Sequence, residues 1–115
     1  MTKSPPRLHR LRELSFAPRF AYGDQAQAVQ VCGADDLSEL GAGYGRLTQA
    51  RFPWTIKYDE MILVLEGSLT VHTATGALTA EAGDSVWLPA GTDLEYEAEE
   101  ALIFYAIHPA DWASR

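Results

Sequence analysis

The sequence contains few of the residues that form disulfides or bind metal ions in small proteins. Cys32 is the one cysteine among 115 residues, so no internal disulfide can form. Three histidines are few for a histidine-rich metal site. A chain without disulfides suits a reducing compartment, and we expect a cytoplasmic protein.

Long apolar runs are missing as well. Runs such as residues 61–65 have the length of a strand and fall far short of the ~18 residues that indicate a membrane-spanning helix. The N-terminal segment is basic, is interrupted by Pro5 and Pro6, and lacks the apolar stretch of a secretory signal. We therefore expect no membrane partner.

Positive charge is scarce outside the N-terminal segment. The first 20 residues hold five cations and one acid, about +4, so the total of -7 leaves -11 for the remainder. A body this acidic repels phosphate backbones, and we expect no nucleic-acid partner. The basic segment either lies free in solvent, which is the commoner case, or contacts an acidic partner or the domain itself.

Short β-like runs separated by turn residues fill most of the chain. Residues 1–27 form a proline-broken arm with at most one short strand, and residues 28–115 form one β domain. A glycine at the first turn position predicts a two-residue hairpin at Gly67-Ser68, and Pro53 is expected to interrupt a strand. The other predicted strands cover residues 28–32, 44–50, 77–81, 85–88 and 101–108. This spacing, without a long amphipathic helix, indicates an all-β sandwich or barrel.

Two stretches keep a distinctive spacing of glycine, proline and acidic residues. Glu60 is separated from Gly67 by six residues, and Gly83 is separated by five residues from the Pro89-Ala-Gly91 turn. These stretches resemble the two sequence motifs of the cupin superfamily. The resemblance implies a cupin fold, a double-stranded β-helix or jelly-roll barrel, in a single domain.

A narrower resemblance covers residues 28 to 112. The segments LGAGYGRL, FPWTIKYDE, VLEGSLTV, AGDSVWLPAG and HPADW are similar, in order and spacing, to those of the EutQ family of ethanolamine-utilization proteins. That resemblance implies a place in ethanolamine catabolism and association with bacterial microcompartments. It also implies an acetate kinase activity, which would require ATP and Mg²⁺.

The cupin motifs normally supply three histidines and one glutamate to a divalent metal. In this sequence the histidine positions hold Trp54, Ile56 and Leu94, and only Glu60 remains. A single carboxylate among apolar side chains does not hold a transition metal, because such sites use three or four N, O or S ligands. We expect no metal at the usual cupin site.

Strand alternation predicts which side chains share the barrel interior. The predicted cavity is lined by Trp54, Ile56, Tyr58, Glu60, Ile62, Leu94 and Tyr96. Burial would raise the pKa of Glu60, which makes it the candidate general acid or base. Alternatively, Glu60 is a polar core residue satisfied by the hydroxyl of Tyr58 or Tyr96. Trp87 is predicted to face away from Val86 and Leu88, as a packing or interface residue.

Three functions remain open from these residues. The first is the acetate kinase-type activity that the family resemblance implies, although the chain has no glycine-rich phosphate loop and few cations outside the arm. The second is a non-catalytic module that binds a small molecule in the barrel or serves in assembly. The third is a metal-dependent cupin enzyme with atypical ligands. Cupin relatives commonly pair through an N-terminal strand, so we also expect a homodimer.

Overall fold

The computed structural model describes residues 2–19 and 22–115. Within them the chain is built from strands joined by turns and short 3-10 helices, and the predicted all-β class is confirmed. The strands are β1 (Ala17–Pro18), β2 (Ala26–Cys32), β3 (Gly41–Thr55), β4 (Asp59–Thr73), β5 (Gly76–Glu81), β6 (Ser85–Leu88) and β7 (Asp93–His108). Within the described ranges, 3-10 helices include Leu11–Glu13, Ala34–Asp36 and Trp112–Ser114. None of the helices in the described ranges has the length and hydropathy needed to cross a bilayer.

Three long strands form the centre of the sheet. The strand order is β1-β2-β3-β7-β4-β5, with β6 paired to the first half of β4, and the pairings are antiparallel. β3 and β7 pair from Gly41↔Ile107 to Thr55↔Asp93, along nearly their whole length. β7 therefore lies between β3 and β4 and carries side chains from one end of the barrel to the other.

Period-two alternation decides which side chains fill the core. Along the first half of β4, Glu60, Ile62 and Val64 are buried while Met61 and Leu63 are exposed. β6 and β7 contribute the facing residues in the same way. Each fully buried aliphatic side chain stabilises the fold by roughly 1.5–3 kcal/mol relative to an exposed one. The largest of them are Ile56, Ile62, Leu69, Leu88, Val64 and Val71.

The predicted hairpin at Gly67-Ser68 is wrong. β4 continues through these residues to Thr73, and the chain turns instead at residues 74 and 75, where Thr73 pairs with Gly76. Gly67 lies where the pairing of β4 with β7 shifts register, and its φ is +75°. A side chain there would clash with the Glu100 carbonyl oxygen, so glycine permits an irregularity in the strand rather than its end.

Pro53 does not interrupt its strand. β3 runs through it to Thr55, and Pro53 pairs with Glu95. β2 leaves β3 after Leu47, so this part of β3 has one unpaired edge. Proline is tolerated on such an edge strand because its missing N–H removes no essential ladder bond.

The N-terminal arm lies against its own domain. Arg7 forms an ion pair with Asp36, with Nη1 and Oδ1 2.8 Å apart, and its Nη2 donates to the Val31 carbonyl oxygen. Farther along, the guanidinium of Arg46 lies over the Phe16 ring, 5.2 Å from its centroid. Of the three interpretations left open by the sequence, contact with the domain itself is therefore the one seen for these residues.

Candidate functional site

Among residues 2–19 and 22–115, Glu60 is the buried residue with an ionisable acidic side chain. It lies near the start of β4, between Leu88 of β6 and Ile107 of β7, and is 6% exposed. Burial raises the pKa of its carboxyl to about 7, because the surrounding apolar side chains disfavour the charged form. A carboxyl with this pKa exchanges its proton near neutral pH, as a general acid or base must.

One phenol contacts this carboxyl directly. The Tyr96 hydroxyl donates a hydrogen bond to Glu60 Oε1 over 3.3 Å. This bond favours the charged carboxylate and so lowers the pKa of Glu60, against the larger effect of burial. The pKa of Tyr96 is itself raised well above its ordinary value, chiefly by burial, so the phenol stays protonated and remains a donor.

A cavity of about 80 Å³ opens beside Glu60. Taking roughly 10–15 Å³ for one water molecule, this space suits a molecule of a few non-hydrogen atoms. Most of the wall is apolar, and the Tyr96 hydroxyl contacts the carboxyl. The lining residues are Arg19, Ala26, Gln27, Ala28, Gly45, Leu47, Phe52, Glu60, Ile62, Leu69, Tyr96, Ile103 and Tyr105.

Arg19 brings a positive charge to this cavity. It follows β1, and its backbone N–H donates to the Ala26 carbonyl oxygen, which fixes it at the start of β2. Its guanidinium lies 6.0 Å from the centroid of the Tyr105 ring. The Arg19 charge lowers the pKa of Glu60, so the site combines an ionisable carboxyl, phenolic donors and a cation around an apolar space.

The predicted cavity residues fall into three groups. Glu60, Ile62 and Tyr96 line the cavity. Trp54 and Leu94, which pair across β3 and β7, instead line a shallow groove at the rim together with Pro53, Thr55, Lys57 and Asp93.

The remaining two predicted residues lie in the core. Ile56 is fully buried, and Tyr58 is 3% exposed. The Tyr58 hydroxyl accepts a hydrogen bond from Trp54 Nε1 over 3.3 Å. Trp112, from the C-terminal 3-10 helix, packs against both rings, 5.1 Å from that of Tyr58 and 6.2 Å from that of Trp54. Trp54, Tyr58 and Trp112 thus form an aromatic cluster next to the Glu60 cavity.

The residues at the cupin metal positions do not fit a metal ion. Ile56 and Leu94 have no ligand atom, and the indole of Trp54 is a hydrogen-bond donor only. Across residues 2–19 and 22–115, no group of three or more histidine, cysteine, aspartate or glutamate side chains is placed to hold a metal. Because Glu60 has no partner ligands at these positions, we assign no chemical step to a metal at this site.

Sequence reasoning missed several cavity residues. Tyr105 and Ile103 lie in the apolar run 101–107, and their inward alternation could have been read from the sequence. Arg19 and Ala26 could not have been found in this way. They reach the cavity because β1 and β2 add to the edge of β3, a long-range pairing that has no local signal.

Fold comparison gives the class of protein. The crystal structure of a putative ethanolamine utilization protein Q from Salmonella typhimurium LT2 superimposes with a TM-score of 0.71 at 32% identity, covering 74% of this chain and 70% of that one. The structure of the Clostridium difficile EutQ protein gives a TM-score of 0.73 at 26% identity, over 78% of this chain and 66% of that one. With a Cupin_2 domain from Enterobacter cloacae also among its structural neighbours, the fold is that of a jelly-roll cupin.

The sequence then specifies the family. Residues 19–114 match the family model described as ethanolamine utilisation protein EutQ, and the chain belongs to that family. The acetate kinase EutQ of Escherichia coli strain K12 is 40% identical over 81 residues, which cover 70% of this chain but 35% of the relative. The Clostridioides difficile strain 630 protein of the same name is 29% identical over 107 residues, 90% of this chain and 68% of the relative. The chain therefore spans about a third of the E. coli relative's length.

Proposed function

We propose that this EutQ-family cupin binds a small organic molecule in the barrel, with Glu60 as the anchor for the polar head of the ligand. The observation that carries the proposal is the placement of a buried, titratable carboxyl at the wall of an 80 Å³ cavity that is otherwise mostly apolar. A satisfied polar core residue needs the Tyr96 hydrogen bond but no adjoining space. A ligand site needs both.

The pH dependence of binding follows from the protonation of Glu60, and its sign depends on the charge of the ligand. An amine such as ethanolamine binds as a cation and would bind more tightly as pH rises and Glu60 ionises. A carboxylate such as acetate would bind less tightly over the same range, because charged Glu60 repels it while Arg19 continues to attract it. The sign of the pH dependence thus distinguishes the two kinds of polar head.

The test uses ethanolamine and acetate as probes at millimolar concentration, with binding followed by NMR shifts of the tyrosine and isoleucine side chains of the cavity. We expect one probe to shift them at saturable concentration, and Glu60→Gln to abolish the pH dependence of its affinity. Glu99→Gln, a matched change at an exposed glutamate of β7, should leave binding unchanged. Failure of both probes to shift the cavity resonances would overturn the proposal.

The second candidate is the acetate kinase-type activity in ethanolamine catabolism, with ATP and Mg²⁺. It is favoured by the name that the E. coli, Salmonella and C. difficile relatives share, acetate kinase EutQ. The cations of the β domain are mostly engaged elsewhere: Arg51 pairs with Glu95 and Glu97, and Arg115 pairs with Asp111. Phosphoryl transfer depends on cations and Mg²⁺ placed at the transferred group, so the geometry supports binding better than it supports this reaction.

ADP formation from ATP, Mg²⁺ and acetate, measured on the purified chain and on Glu60→Gln, separates the two candidates. ADP formation by the wild type that disappears in Glu60→Gln would establish the acetate kinase activity. A folded chain that binds a probe without turnover would establish the binding module.

We further propose a cytoplasmic homodimer that associates with microcompartments.

A further inference from the structure

The outward face of the central strands carries a strip of apolar residues, here called the outer strip. Hydrogen-bonded registers align its members into two neighbouring rows that cross β6, β4, β7 and β3. The first row is Trp87, Met61, Ala106 and Ala42, and the second row is Ser85, Leu63, Phe104 and Tyr44.

The outer strip has the apolar, uncharged composition of a surface that packs against another protein surface. Trp87 is 54% exposed, Met61 42% and Leu63 38%. Tyr44 and Phe104 pack edge to face beside them, with ring centroids 5.0 Å apart. None of these eight residues is charged, although charged residues make up 22% of the chain. An antiparallel strand with one solvated face normally alternates apolar and polar residues, whereas this part of β4 is apolar on both faces.

The N-terminal arm lies beside the strip on two sides: beyond its second row, and at the edge of β2, where residues 3–9 share a groove with Cys32, the partner of Ala42. Residues 8–16 of the arm share a groove with Arg46, Glu66 and Leu102, and Leu102 is 3% exposed there. The outer strip begins one cross-strand row farther along, where Leu63 pairs with Phe104. With the arm of the same chain in place, Trp87, Met61 and Leu63 remain exposed.

The charges at the two ends of the outer strip are of opposite sign. The groove at the arm end is lined by Arg10, Arg12 and Arg46 against one acid, Glu66. The other end carries Asp59, which pairs with His108 in the sheet, and Glu39, whose Oε2 lies 3.8 Å from His108 Nε2. In the groove beside this end, Arg7 is paired with Asp36, which leaves Lys3 against these two acids. A two-fold rotation that reverses the strip places the basic end of one copy against the acidic end of the other.

We infer that the outer strip is the contact surface between two copies of this chain, packed sheet against sheet with their strips reversed. This inference rests on the homodimer proposed above and assigns its surface. An unrelated partner would need an apolar centre with charged ends in the matching order, whereas a second copy supplies that pattern by symmetry. A charge-free centre also keeps the two copies, each with a net charge of -7, from placing acids against acids.

Light scattering after size-exclusion chromatography at micromolar concentration tests the assignment. The wild-type chain should have the mass of a dimer, and Leu63→Glu should have that of a monomer, because it buries a charge at the centre of the contact. Trp87→Glu is a second variant at a more exposed position. Leu78→Glu, a leucine of β5 outside the strip with 49% exposure, is the matched control and should remain dimeric. Circular dichroism and thermal unfolding establish that each variant is folded.

The outcomes separate the dimer from its surface. A dimeric wild type and Leu78→Glu, with both strip variants monomeric and folded, would support the assignment. A dimeric wild type whose folded strip variants also stay dimeric would overturn the surface and leave the homodimer standing. A monomeric wild type would overturn both.

Discussion

The Tyr96 hydroxyl lies 3.3 Å from Glu60 Oε1, although the residue of β7 that pairs with Glu60 is Ile107 and not Tyr96. In β4, Tyr96 pairs with Val71, eleven residues beyond Glu60, and the two side chains meet because both point into the barrel. Their contact is thus a product of barrel closure, and it joins a titratable carboxyl to a phenol that remains protonated.

Glu60 should make stability depend on pH in the direction opposite to that of an ordinary paired acid. Its pKa is raised by burial from 4.5 to about 7, so between these values the folded state holds a proton that the unfolded state has lost. Stability is therefore highest below the lower value and falls as pH rises toward the upper one. We expect the wild type to lose about 2 kcal/mol relative to Glu60→Gln between pH 5 and pH 8.

Urea unfolding of both proteins across this pH range measures the effect. The difference between the two free energies of unfolding cancels the contribution of other titrating groups, such as Glu97, whose pKa is lowered by its hydrogen bond to His72. A difference that does not change with pH would show that Glu60 titrates at its ordinary value in the folded protein.

Tyr96→Phe should move the Glu60 titration upward. The lost hydrogen bond favoured the charged carboxylate, so its removal raises the pKa of Glu60. Infrared absorption of the protonated carboxyl, assigned with Glu60→Gln, follows this titration. Tyr105→Phe removes a different cavity hydroxyl and should shift it less. Equal shifts in the two variants would contradict a specific role for the Tyr96 bond.

Gly67→Ala should destabilise the protein far more than Gly83→Ala. Both glycines have positive φ, +75° and +94°, so both substitutions cost about 1–2 kcal/mol of backbone strain. At Gly67 a Cβ would also meet the Glu100 carbonyl oxygen, whereas at Gly83 nothing lies within 4 Å. We expect a further loss of about 2 kcal/mol or more at Gly67. Denaturant midpoints of the two variants would have to coincide for this account to fail.

Gly67 also shows how far the sequence could predict this fold. A hairpin turn and a strand irregularity both reverse the alternation of the following residues, so Leu69 and Val71 are buried in either case. The motif spacing was enough to predict the all-β cupin fold, and strand alternation was enough to predict that the Trp87 side chain faces outward. The length of β4 depends instead on its pairing with β5 and β7, which is long-range and leaves no local mark.

The residues of the candidate site could be predicted from the sequence to about the same extent as the fold. Glu60, Ile62 and Tyr96 follow from alternation along single strands. Alternation does not say how far along the barrel the cavity extends, so it gave no reason to separate Trp54 at the rim from Ile62 at the cavity wall. Arg19 enters only through the pairing of β1 and β2, and its charge is the feature of the site that no reading of single strands could supply.

Asp36→Asn should release the first part of the N-terminal arm. Asp36 accepts two hydrogen bonds from the Arg7 guanidinium, each 2.8 Å long, and these hold its pKa far below the ordinary value. The pair is partly exposed, with Arg7 at 39% and Asp36 at 19%, so we expect only a small change in global stability. Local opening should increase, because the segment before Arg10 and Arg12 loses its ionic attachment to the domain. Limited trypsin digestion at those two exposed arginines should accordingly be several-fold faster than in the wild type.

Asp35→Asn is the matched control for this experiment. Asp35 belongs to the same 3-10 helix and is exposed, but its side chain does not form the Arg7 ion pair. Its substitution changes the net charge by the same amount and should leave the digestion rate unchanged. If both variants are digested faster, charge near the arm matters but the specific Arg7–Asp36 contact does not. If neither is, the arm is held to the domain chiefly by its apolar contacts around Phe16 and Leu102.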